Sequence, residues 1–156
     1  MLHASAVIYN GHALVFSAPS GVGKSTQADL WARYEHTPIL NGDKVIISAD
    51  HTACTAYGGP IAGTSNIFND LSAPVGGIVM IRQAQENKIE ELTPRKKWMA
   101  LYAEAIKSTW DQEYNAALLS ILNTVSADVP VISMACLPDE SAVRCLQQYL
   151  LKGIQK

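Results

Sequence analysis

The sequence predicts an α/β fold, a mixed sheet with packed helices built around a glycine-rich strand-to-helix turn. Three observations carry this. The stretch Ala18-Pro19-Ser20-Gly21-Val22-Gly23-Lys24-Ser25 lies between an apolar, β-leaning run, Ala13-Leu14-Val15-Phe16, and a helix expected over Thr26 to Tyr34. Asn10-Gly11 separates that run from an earlier one, Ala4 to Tyr9, and Asn-Gly between two such runs is the strongest short hairpin signal. The last third of the chain changes to a helical period. One stripe is Trp98, Leu101, Tyr102, Ala105 and Ile106, and a second is Tyr114, Ala117, Leu118, Ile121, Leu122 and Val125.

Taken in order, Ala4–Tyr9 and His12–Phe16 form an N-terminal antiparallel hairpin whose second strand feeds the loop. After the first helix, Pro38-Ile39-Leu40 is a short buried strand ending in the turn Asn41-Gly42-Asp43. If that strand lies beside the strand that feeds the loop, Asp43 faces the phosphate site. Lys44–Ser48 and Thr52–Tyr57 read as two further short strands. Gly58 to Pro74 is polar and rich in Gly and Pro, as surface loops near function are. Val75–Gln83 and Lys88–Leu92 read as an antiparallel pair. Val129–Ala135 is a buried strand, and Pro138-Asp139 opens a last helix to about Leu151, with Val143, Leu146 and Leu150 inward.

The 156 residues are 48% hydrophobic and 17% charged, which suits one domain over residues 1–156 with a real core. The formal charge is −2, so neither nucleic acid nor an anionic membrane is the expected partner. Arg95-Lys96-Lys97, the one basic cluster, reads as a solvated helix start. No apolar run has the length of a membrane span, and Met1-Leu2-His3-Ala4 lacks the order of a secretory signal. Cys54, Cys136 and Cys145, the three cysteines, are odd in number and widely spaced. They read as reduced, small buried hydrophobes in a cytoplasmic protein. His12, His36 and His51 read as turn or loop residues, and no pair of them has metal spacing.

A strand, a glycine-rich turn and Lys-Ser at a helix start make an anion site from free backbone N–H groups and the helix dipole. Ser20, Gly21, Val22, Gly23, Lys24, Ser25 and Thr26 are the expected nucleotide contacts. Lys24 reaches the β- and γ-phosphates, and the Ser25 hydroxyl binds Mg²⁺. Pro19 removes one donor from the loop. Asp43 is the candidate second Mg²⁺ ligand or base, set against a turn aspartate that only bonds backbone. Asp50 and Asp70 are weaker alternatives. His3 starts the hairpin strand, so antiparallel pairing puts it beside the phosphate loop. There it either meets solvent, contacts the γ-phosphate or a substrate, or poises Asp43.

At these residues the chain resembles a known family. His3-Ala4-Ser5-Ala6-Val7, the Asn10-Gly11 turn, Ala13–Phe16, Ser20–Ser25 and Leu40-Asn41-Gly42-Asp43 are similar to the catalytic core of HPr kinase/phosphorylase, which groups by fold with phosphoenolpyruvate carboxykinases. Tyr57-Gly58-Gly59-Pro60, Ala73-Pro74 and Gln83–Ile89 are similar to small stand-alone bacterial relatives of that kinase, ATP-binding proteins found in some cases beside peptide-modification genes. The resemblance implies ATP, Mg²⁺ and phosphoryl transfer to a serine-type hydroxyl on a protein, peptide or small molecule. Residue by residue, Gly21, Gly23, Lys24 and Ser25 match the phosphate loop. Asp43 matches the second of two adjacent aspartates, and His3 matches the histidine that starts the hairpin. Gly42 stands where the first aspartate would be, and Ala18 replaces the first loop glycine. No stretch of this sequence matches the kinase's N-terminal domain or its phosphorolysis loop, so the resemblance does not extend to phosphorolysis or to HPr as substrate.

The expected function is therefore an ATP- and Mg²⁺-dependent kinase, with Asp43, His3 and Lys24 catalytic and Ser25 and Asp43 on the metal. Arg82, after the strand that ends near Ile81, either adds charge to the phosphates or is a surface arginine with a packed stem. The Gly58–Pro74 loop, with Asn66 and Asn69, is the candidate acceptor contact. The alternative is a nucleotide-binding regulatory module that transfers slowly or not at all, which Gly42 favours. A carboxykinase acting on a small acid ranks last, because no arginine-rich set is present. The hexamers of related kinases make a homo-oligomer reasonable to test.

Overall fold

The computed structural model describes residues 1–50, 53–61, 63 and 66–154. Strands β1 (Leu2–Tyr9) and β2 (His12–Ser17) form the expected antiparallel hairpin, with Tyr9 opposite His12 and Ala4 opposite Ser17. Asn10 and Gly11 take φ of 50° and 77°, the left-handed pair that matches a two-residue turn to the strand twist. Helix α1 (Lys24–Glu35) follows the loop, and β3 (Ile39–Asn41) pairs antiparallel with β1. Strands β4 (Lys44–Ala49) and β5 (Cys54–Tyr57) form a second hairpin. Thr52, the expected start of β5, lies outside the described residues.

The remaining elements are β6 (Ser72–Gln83), β7 (Lys88–Glu91), α2 (Pro94–Glu104), α3 (Gln112–Asp128), β8 (Val131–Cys136) and α4 (Glu140–Ile154). Five strands close on themselves in the order β2-β1-β4-β5-β6, because β6 pairs parallel with β2. The long β6 makes this possible. Its first residues pair with β5 and the rest with β2 and β8. The result is a barrel-like mixed sheet with β8 and β7 extending from one side.

Two expected pairings are corrected. Val75–Gln83 and Lys88–Leu92 do not pair with each other. β8 lies between them, parallel to β6 and antiparallel to β7. The apolar β8 run takes the central position and Lys88-Ile89-Glu90-Glu91 takes the exposed edge, as burial on both faces favours. The strand before Asp43 lies beside β1, not beside the loop-feeding β2, whose neighbours are β1 and β6. The expected Gly58–Pro74 loop also ends early, since Ser72–Pro74 belong to β6.

Alternating residues of β2 go to opposite layers, which explains a continuous apolar run in a strand. Ala13 and Val15 join a core with Leu101 of α2 and Leu118, Leu122 and Val125 of α3. Leu14 and Phe16 join a second core with Trp31 of α1 and Val143 and Leu146 of α4. Tyr9 stands edge-on to Trp31 with ring centroids 4.9 Å apart. Within the expected helical stripes, Tyr102 and Ala117 instead face outward. Tyr102 stacks on Trp98, whose Nε1 donates to Asn123 of α3 at 2.8 Å. Among the described residues no helix is long and apolar enough to cross a membrane.

Candidate active site

β2 delivers the chain at Ser17, and α1 begins at Lys24. Ala18 is buried in the core that holds Phe16 and Trp31. Its methyl therefore packs inward, which accounts for alanine where the loop pattern has glycine. Gly23 caps α1 with φ 114°, and no side chain caps this end. Leading N–H groups left without a side-chain cap are the donors that an anion satisfies. Ser5 of β1 donates through Oγ to the Lys24 carbonyl at 2.5 Å, which ties the hairpin to the helix start.

Lys24 is 6% exposed, and its Nζ donates to the Ala18 carbonyl at 3.1 Å and the Pro19 carbonyl at 3.4 Å. Burial pushes its pKa below the ordinary lysine value, and the charges of Asp43 and Glu104 oppose that shift. Both carboxylates thus favour the charged ammonium.

Ser20, Gly21, Gly23, Lys24, Ser25 and Thr26 line a cleft of about 510 Å³. Asp43 and Gly42 form part of its far wall, with Ile39 of β3, Ile67 of the following loop and Asp29 of α1. Among the described residues no arginine lines it. Val22 turns to the opposite side of the loop and shares a shallower depression with Ile81, Arg82 and Gln83. Arg82 is exposed there. Gln83 Nε2 lies 3.3 Å from the Val22 carbonyl and steadies the loop from β6.

Asp43 is positioned by Asn41, which is fully buried. Asn41 Oδ1 accepts from the backbone N–H of Asp43 and of Lys44, each at 2.8 Å. Its amide donates to the Ile61 carbonyl at 2.9 Å and to the Gly58 carbonyl. One side chain thus fixes the turn and the loop that crosses it. Asn41→Ala would leave these groups without their partner, so we expect a loss of about 2–4 kcal/mol. Chemical denaturation measures it directly. Asn69, expected as an acceptor contact, is exposed and donates its amide to the Ile39 carbonyl at 2.6 Å. Asn66 is exposed.

Two neighbours crowd the Asp43 carboxylate. His3 Nε2 lies 3.3 Å from Oδ1. A Cβ built on Gly63 would fall 2.0 Å from Oδ2, and Gly63 has φ +52°. Only a residue without Cβ lets the backbone approach so closely. Gly63→Ala should displace the carboxylate and cut any Asp43-dependent turnover at least tenfold, as misplacement of a reacting group does. Nucleotide affinity should stay nearly constant, and parallel calorimetry and kinetics check both.

His3 pairs with Lys44 across β1 and β4, and its carbonyl accepts from Ser17 Oγ at 2.8 Å. It therefore sits at the end of the loop-feeding strand. It does not line the cleft and stands behind Asp43. Its Nδ1 lies 3.4 Å from Glu104 Oε2. The end of α2 reaches this point because the Ile106 N–H donates to the Met1 carbonyl at 3.0 Å and Ala105 bridges Leu2. Glu104 was not legible as a site residue. One signal was present: an acidic residue closing a helix, where the dipole disfavours it.

The weaker carboxylates lie elsewhere. Asp50 Oδ1 accepts from the Ala53 N–H at 2.9 Å in a turn, and Asp70 is exposed. His12 occupies the hairpin and His36 closes α1 in the left-handed region, while His51 lies outside the described residues. Cys54 and Cys136 are buried, and burial is the main cause that raises their thiol pKa values. Raised pKa values keep thiols protonated and unreactive. No three His, Cys, Asp or Glu converge in metal-holding geometry among the described residues. Mg²⁺ commonly uses one or two protein carboxylates and completes its shell with phosphates and water, so Ser25 and Asp43 across one cleft fit that pattern.

No protein-family model matches this chain, and no curated protein matches it. Among solved structures it is similar to the Hpr(Ser) kinase/phosphatase from Coxiella burnetii, with a TM-score of 0.50 and 13% sequence identity. The likeness spans 98% of this chain and 93% of the other. At that identity it establishes a shared mixed α/β fold.

Proposed function

We propose that this chain binds ATP with Mg²⁺ and transfers the γ-phosphoryl group to a serine-type hydroxyl of a protein, peptide or small molecule. The observation that carries this reading is the placement of Asp43 on the wall of the same cleft that the Ser20–Thr26 loop lines. Ser25 and Asp43 would hold the metal, which supplies charge neutralisation of the triphosphate when bound. Loop N–H groups and Lys24 bind the phosphate oxygens and stabilise charge on the leaving diphosphate. Asp43 accepts the proton of the acceptor hydroxyl as its oxygen bonds to the γ-phosphorus and the bridging P–O bond breaks.

In-line displacement sets entering and leaving oxygens on opposite sides of phosphorus. The acceptor therefore enters from the Asp43, Ile39 and Ile67 side. The test is single-turnover transfer from γ-labelled ATP to a panel of serine peptides and hydroxyl metabolites. Label on an acceptor supports the kinase. Tight ATP–Mg²⁺ binding without transfer or hydrolysis supports the regulatory module, which Gly42 favours by leaving the turn one carboxylate short. Failure to bind ATP–Mg²⁺ at all overturns both.

A further inference from the structure

We propose that Glu104 is a carboxylate set behind this site, a positioning residue that acts on Asp43 through His3. The inference rests on the nucleotide-binding reading and deepens it. The geometry is a chain of three side chains from three elements. Glu104 of α2 lies 3.4 Å from His3 Nδ1, and His3 Nε2 lies 3.3 Å from Asp43 Oδ1. Only the last member reaches the cleft wall.

Three features mark Glu104 as more than a surface charge. Its side chain is 12% exposed, the least of this trio, against 27% for His3 and 22% for Asp43. It is the final residue of α2, where the helix dipole presents its negative end and disfavours a carboxylate. A lysine there would help the helix, so the acid must gain from something else. The partner it meets is the imidazole. Its charge also reaches Lys24, where it acts with Asp43 to favour the ammonium.

The consequence is positional. An imidazole has two faces to satisfy, and the nitrogen that one neighbour occupies decides what the other presents. With Nδ1 facing Glu104 and Nε2 facing Asp43, the ring is bracketed by the two carboxylates, and its orientation toward Asp43 depends on both. Oδ1 then faces His3, while the Gly63 backbone passes close beside Oδ2 and leaves no room for a side chain there. The carboxylate is confined before any ligand arrives, the preorganisation that transfer chemistry rewards.

The test compares Glu104→Gln and Glu104→Ala in the full chain. Wild type and variants are scored for ATP–Mg²⁺ affinity by calorimetry, for turnover of γ-labelled ATP (transfer or hydrolysis), and for the His3 imidazole ¹⁵N shifts at one pH. Glu104→Gln keeps the side-chain shape and serves if the alanine variant fails to fold. We expect the His3 resonances to move and kcat to fall about 10- to 100-fold, the usual cost of removing an outer-shell partner. KM for ATP should change little. In a His3→Gln background the Glu104 change should add nothing further, as coupling through one residue requires. Unmoved His3 resonances, or losses that simply add in the double variant, overturn the inference while leaving nucleotide binding intact. Absence of ATP–Mg²⁺ binding in the wild type overturns the nucleotide reading and this inference with it.

Discussion

Lys24→Met is expected to lower phosphoryl transfer about 100- to 1,000-fold, the cost of removing one fixed donor to developing charge in a water-poor site. Methionine suits this test because it keeps the length of the buried stem and has nearly lysine's helix propensity. The loop should therefore persist. The carbonyls of Ala18 and Pro19 lose their ammonium donor. The Pro19 carbonyl keeps the Val22 N–H, but the buried Ala18 carbonyl loses its donor at a cost of about 1–3 kcal/mol, so a modest fall in Tm should accompany the kinetic loss. Lys24→Arg should not restore the rate, since a planar five-donor fork does not replace a compact point charge in a pocket this buried. Single-turnover kinetics with γ-labelled ATP, alongside thermal melts, separate the two effects. Wild-type turnover in Lys24→Met would remove the phosphate-loop assignment.

What was legible in the sequence was local. Asn10-Gly11 specifies a hairpin within four residues, and the loop from Ala18 to Ser25 specifies a strand-to-helix turn within eight. Both depend on backbone conformations that neighbouring residues dictate. The periodic runs likewise marked α2, α3 and α4 as helices. Pairings that depend on distant residues were not legible. Nothing in Val75–Gln83 says that β8 lies against it, because two antiparallel strands in succession read the same whether or not a later strand enters between them. The same holds for β3, which pairs with β1 although it follows α1 as directly as a parallel neighbour would. Within the site, Asp43 and His3 were visible as candidates because each sits at a strand end near the loop. Asn41 was visible only as a turn residue. Two of its four hydrogen bonds reach Gly58 and Ile61, beyond local pattern. Glu104 enters from a helix whose apolar stripe predicts core and says nothing about the acid that ends it.

Asp43→Asn should keep ATP–Mg²⁺ binding within about tenfold and reduce transfer by roughly 100- to 10,000-fold, the range for loss of a positioned general base. The substitution is nearly isosteric. The backbone N–H of residue 43 still donates to Asn41, and its carbonyl still accepts from the Ala4 N–H, a bond of 3.0 Å. The turn should survive, which separates chemistry from folding. What changes is charge. An amide cannot take the acceptor proton, and it is a weaker ligand for a hard cation. Lys24 also loses the larger of the two charges that oppose its desolvation, so its pKa should move further down. Part of the loss would then come from a less charged ammonium, and raising pH should deepen the defect relative to wild type because the variant's lysine deprotonates first. A pH–rate comparison of the two proteins, with affinity measured at each pH, reads this directly. Unchanged turnover in Asp43→Asn would place the base and metal ligand elsewhere. A deficit that does not grow with pH would confine the role of Asp43 to the proton and the metal.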